Sequence, residues 1–275
     1  METRKFWRSV TVISSIVLCC SLPAVANSGD LRTAQVVFTD GYANAKVSWN
    51  PAFPDLNYTA VCTAEQTPSD FLLPVITSRS AGSMTVVPTD YGLAGILDCI
   101  AIPDSDNSDI RHARASFSGG PSGVTVPWNP AFTDTNYTAV CTVETQDYGN
   151  GEFTSVINNR STDSISVING FFDSGTMHCV AIPDSDVSDV RWGRIAVSGS
   201  PATVTVPWNR PFANKSYVAV CSDEVPGAMG SDSAIAIYAN SKAPESVVTI
   251  PEIASGYVNC IAIKGTCTTA RGCGP

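Results

Sequence analysis

The chain has 275 residues, a net charge of -9, ten cysteines and two histidines. Its acidity argues against nucleic acid, whose binding needs clustered cations. No segment reaches the roughly 20 apolar residues of a membrane-spanning helix, so membrane insertion is not expected.

The chain opens with METRKFWR, continues with an apolar stretch from Ser9 to Cys20 and closes with LPAVA at Ala26. That charged, apolar, small-residue order is the order of a signal peptide, so residues 1–26 are expected to be removed on export. Removal takes away Glu2, Arg4, Lys5 and Arg8, moves the net charge to -11 and leaves eight cysteines. Cys19 and Cys20 follow Leu18 rather than a small residue, which argues against a lipid anchor. An even number of cysteines without a C-x-x-C pair points to disulfides in a secreted, extracellular or periplasmic protein.

Beyond the leader the chain repeats. KVSWNPAFPDLNYTAVCT from Lys46 matches TVPWNPAFTDTNYTAVCT from Thr125 and TVPWNRPFANKSYVAVCS from Thr205. Trp49, Trp128 and Trp208 are spaced by 79 and 80 residues, and Cys62, Cys141 and Cys221 repeat those intervals. A second cysteine recurs in LDCIAIPD, MHCVAIPD and VNCIAIKG, at Cys99, Cys179 and Cys260. A strand at RTAQVVFT, RHARASFS and RWGRIAVS precedes each copy, and no fourth one follows Cys260. The modules are therefore 31–110, 111–190 and 191–275.

Within a module the apolar residues alternate. Val124, Val126 and Trp128 share one strand face while Thr125 and Pro127 take the other, and turn residues such as SGGPSG punctuate at short intervals. The expectation is all-β: three tandem small antiparallel β-sandwich modules of six strands each, strung together through their joints. A unit of about 80 residues has a thin core and calls for a covalent staple. The recurrence pairs Cys62 with Cys99, Cys141 with Cys179 and Cys221 with Cys260, and leaves Cys267 with Cys273 as a small C-terminal loop.

Trp128 continues the buried face of its strand, which assigns it to the core rather than to a sugar-stacking surface. The joints Asp104-Ser105-Asp106-Asn107-Ser108-Asp109 and Asp184-Ser185-Asp186-Val187-Ser188-Asp189 carry carboxylates at alternate positions, as calcium requires. The alternative is a solvated Asp/Ser turn that pairs with Arg111 or Arg191. Arg79, Arg160 and Lys242 share a strand-end position, where a cation beside Asn159 offers hydrogen bonds to a sugar, or is simply solvated. Catalysis is not expected: His112 and His178 do not recur between copies, so no Ser-His-Asp or Cys-His arrangement repeats.

The order of these strands, carried by Arg191 to Arg194, Val204 to Phe212, Tyr137 to Cys141, Asn159 to Val167 and Cys179 to Ile182, resembles the H-type lectin module and the C-terminal domain of some phage tail fibres. The resemblance implies a six-stranded antiparallel sandwich, carbohydrate binding without enzymatic activity, and frequent trimeric assembly as a homo-oligomer. It also implies that sugar is held by the loop before the closing strand, here Asp90 and Tyr91 in the first copy and Phe171, Phe172 and Asp173 in the second. The third copy has Pro251 and Glu252 there, and all three closing strands carry cysteine where that family commonly has tryptophan. The function expected is that of a secreted, multivalent carbohydrate-binding or adhesive protein, with glycans or cell-surface glycoconjugates as partners. The alternative is a structural extracellular repeat protein, a spacer or assembly unit that binds other proteins.

Overall fold

The computed structural model describes residues 31–38, 44–66, 73–88, 94–106, 108–119, 123–146, 155–169, 172–186, 189–227 and 234–264. The expected leader, Asp90, Tyr91, Phe171, Cys267 and Cys273 lie outside the described residues.

Among the described residues all regular structure is β. The first module holds β1 (Arg32–Phe38), β2 (Ala45–Ser48), β3 (Tyr58–Gln66), β4 (Pro74–Ser80), β5 (Ser83–Pro88) and β6 (Gly95–Pro103). The second holds β7 (Arg111–Ser118), β8 (Gly123–Pro127), β9 (Tyr137–Glu144), β10 (Val156–Arg160), β11 (Ser164–Ile168) and β12 (Ser174–Pro183). The third holds β13 (Val190–Ser198), β14 (Val204–Pro207), β15 (Tyr217–Glu224), β16 (Ile235–Tyr238), β17 (Ser246–Pro251) and β18 (Ser255–Lys264).

Each module contributes two antiparallel three-stranded halves, β1-β6-β3 and β2-β5-β4 in the first, which face each other across one core. The halves do not end at the module edge. The three six-stranded sheets run β1-β6-β3-β16-β17-β14, β13-β18-β15-β10-β11-β8 and β2-β5-β4-β9-β12-β7, so every sheet joins halves of two modules. The seams are parallel and keep one register: Glu65 opposite Ile237, Glu144 opposite Ile76, and Glu224 opposite Ile157. First pairs with second, second with third, and third with first. The modules form a closed threefold ring within one chain, not the string that the joints suggested.

The ring explains the burial pattern. β8 reads exposed-buried-exposed-buried-exposed, as a strand with one covered face does, whereas β3 is buried at all nine positions. One face of β3 meets the core of its own module through Tyr58, Ala60 and Cys62, beside Trp49 and Phe53. The other face turns to the ring axis, where Val61, Ile100, Val140, Val180, Val220 and Ile261 come together from all three modules. Covering both faces raises the apolar area removed from water, at about 25 cal/mol per Å². This offsets the thin core of each module.

The recurring tryptophans Trp49, Trp128 and Trp208 are core residues, at 4%, 4% and 6% exposure. The disulfides are Cys62–Cys99, Cys141–Cys179 and Cys221–Cys260, as the recurrence indicated. Each links directly opposed residues of adjacent strands inside a module core.

Candidate functional site

At each seam the chain places one polar assembly. The residue after the first cysteine of each repeat closes a ring around the axis: Thr63 Oγ1 accepts the Cys221 amide at 2.7 Å, Thr142 Oγ1 accepts that of Cys62 at 2.9 Å, and Ser222 Oγ accepts that of Cys141 at 2.9 Å. Two residues further on stand Glu65, Glu144 and Glu224. These meet the strand-end cations of the neighbouring module: Lys242 Nζ lies 2.9 Å from Glu65, Arg79 Nε 2.9 Å from Glu144, and Arg160 pairs with Glu224. Gly95 and Gly175 are required beside these seams, because a Cβ would lie 2.6 Å from the Glu65 and Glu144 carbonyl oxygens.

Arg79 and Arg160, candidates for sugar binding, thus have a structural occupation. Each also caps an aromatic stack: Arg32 lies over Phe53, Phe53 stacks on Tyr58 with centroids 4.4 Å apart, and Arg79 lies over Tyr58. The second module repeats this with Arg111, Phe132, Tyr137 and Arg160. The glutamate partners recur three residues after a cysteine, in CTAE, CTVE and CSDE, a signal that names the position but not its distant cation.

Other candidates disperse. Phe172 is 1% exposed and belongs to the core of the second module, which corrects its assignment to a ligand-facing loop. Asp173 is exposed beside it, and Asn159, also exposed, accepts the amide of Arg160 through its own side chain. In the first joint Asp104 pairs with Arg114, and Asp106 accepts the Ser108 hydroxyl. In the second, Asp184 accepts from Thr138 at 3.5 Å, and burial raises its pKa. Asp109 and Asp189 are exposed, and Asp186 is half-buried with its amide bonded to Pro183 O. Among the described residues no group of three His, Cys, Asp or Glu side chains stands at metal-ligand spacing.

What the first joint does form is a cleft of about 910 Å³ between the first and second modules. Its lining includes Asp104, Asp106 and Asp109 of the joint, Arg111, His112 and Arg114 of β7, Arg79, and the Asn129-Pro130 turn. Three arginines face three aspartates, so the cleft is densely polar and nearly neutral. Arg111 is fixed by Pro130 O at 2.9 Å and by Asp109 O at 3.1 Å. Thr59, fully buried, has a hydroxyl without a hydrogen-bond partner among the described residues. Burial lowers the His112 pKa against the pull of Asp104, Asp106 and a backbone hydrogen bond with Ile110.

The corresponding seat between the second and third modules is filled differently. There Trp192 takes the place of His112 and packs on the axial cluster, while Arg194 pairs with Glu224 and lies over Tyr257. Between the third and first modules Gln35 takes the place of Arg114 and donates to Asp98 at 2.8 Å.

No protein-family model matches the chain, and no curated protein matches it. Fold and site define an all-β, disulfide-linked protein of three modules in a ring. Its three disulfides indicate an oxidising environment, extracellular or periplasmic.

Proposed function

We propose that this is a secreted, non-catalytic carbohydrate-binding protein of lectin-like type, and that the cleft between the first and second modules takes a neutral saccharide. The observation that carries this reading is the cleft itself, lined by three arginines and three aspartates whose charges balance, with serine and threonine side chains among them. A polyol needs interspersed donors and acceptors without net charge, and this wall supplies both. The threefold ring supports the resemblance as well, because it reproduces within one chain the three-unit arrangement expected of that family. The three seats are not copies of one another, so the site proposed is single and the multivalent expectation is not carried over to it. The leader at 1–26 supplies the secretory route.

A second reading, a structural assembly unit, is favoured by the ion pairs at all three seams, which serve closure of the ring. A glycan array probed with the full mature chain separates the two. Retention of a neutral glycan, reduced at least tenfold by Asp109→Ala or Arg114→Ala without a change in melting temperature, supports the first. No retained glycan, or retention unaltered by both substitutions, overturns it.

A further inference from the structure

The chain has two histidines, and the fold brings both to the same seam. They sit on neighbouring strands of the second module, where β12 pairs with β7 so that His178 lies opposite Arg114 and Val180 opposite His112. His178 is fully buried. Its Nδ1 accepts the amide of Ala60 from the first module at 3.2 Å, and its Nε2 donates to Glu144 at 2.8 Å. Those two bonds use the neutral ring completely, with the proton on Nε2.

The same seat exists three times, one residue before the second cysteine, and holds a different side chain each time. Asp98 accepts the Ala219 amide at 3.0 Å and pairs with Lys242. Asn259 donates to Glu224 at 3.0 Å and accepts from Arg160 at 3.3 Å. Only the seat at the first seam carries a group whose unperturbed titration falls in the mildly acidic range.

We propose that the seam between the first and second modules is an acid-sensitive joint of the ring, in which proton uptake by His178 separates β3 from β12 while the other two seams stay closed. A proton on Nδ1 turns the acceptor of the Ala60 amide into a donor, so two N–H groups confront each other where one bond stood. The groups facing His178 are Glu144 from β9, Arg79 from β4 and Arg114 from β7. Glu144 favours the charged ring, but it already holds Arg79, and both arginines oppose a further cation. His112 faces Asp104 and Asp106 of the joint and Arg114 on its own strand.

Burial lowers the pKa of both rings. The closed seam therefore binds protons less readily than the opened one. The contribution of His178 is complete above the unfolded histidine value and is lost as pH falls below about 6.5, by up to about tenfold per pH unit. The inference is independent of what the cleft binds.

The chain supplies its own control. Asn occupies this seat in the third module, so His178→Asn keeps a donor for Glu144 and an acceptor for Ala60 but does not titrate. Amide hydrogen exchange of the full mature chain at pH 7.5 and 5.0, corrected for intrinsic rates, reads the seam through Ala60 and uses Ala219 as reference. In the wild type Ala60 should lose at least tenfold protection relative to Ala219 on acidification, and in His178→Asn the ratio should stay constant. An unchanged ratio in the wild type overturns the proposal, as does an equal loss in both proteins. Were the variant not to fold, the wild-type ratio alone decides.

Discussion

Glu224 offers the most exacting test of the ring. Its side chain is 4% exposed and accepts from Arg160, from Arg194 at 3.0 Å and from Asn259 at 3.0 Å. Burial by itself would raise its pKa, and the two arginines outweigh that and hold the carboxyl below its usual range. Glu224→Gln keeps the volume and deletes the charge, leaving guanidinium groups only 11% and 27% exposed without their counterion. Stranding a buried charge costs about 3–5 kcal/mol, whereas losing an exposed pair costs less than about 1 kcal/mol. At roughly 2–4 °C per kcal/mol for a protein of this size, the melting temperature should fall by about 10 °C. Because every sheet spans two modules, calorimetry should show one transition that moves as a whole. A loss under about 1 kcal/mol would refute the buried seam. Separate melting of the first module would refute the shared sheets.

Phe172→Ala should destabilise by about 3–5 kcal/mol in urea denaturation, because the ring fills the second module's core; a loss under about 1 kcal/mol would return it to the surface. Replacing Cys141 and Cys179 together by alanine opens a loop of 38 residues and should cost about 4 kcal/mol, measured the same way, through freedom restored to the unfolded chain; unchanged stability would contradict that. For Glu144, burial works to raise the pKa, but hydrogen bonds from His178 and Arg79 prevail and hold it at about 2. Its contribution is therefore full above the unfolded value near 4.5 and disappears between there and pH 2. Glu144→Gln should flatten the pH profile of stability in that window, and a profile identical to the wild type would exclude the effect.

Much of this architecture was legible in the chain. The period of about 80 residues, the alternation in VTVPW and the twice-repeated cysteine fixed the module, its strand count and its three staples, because local pattern and covalent spacing survive without knowledge of neighbours. The burial of Trp128 followed from alternation alone. What period two could not convey is that β3, β9 and β15 are covered on both faces, since the second cover comes from other modules. The same limit applies to Arg79, Arg160 and Lys242. Each looked like a solvated strand end beside its own sequence, and its partner glutamate lies 65, 64 and 177 positions away. His178 and Ala60, 118 residues apart, meet only because the ring closes. Sequence determined the modules, through local alternation and the entropy of short loops. Tertiary structure decided their mutual arrangement and the cleft, because the seam residues acquire their partners only when three half-sheets find the edges of their neighbours.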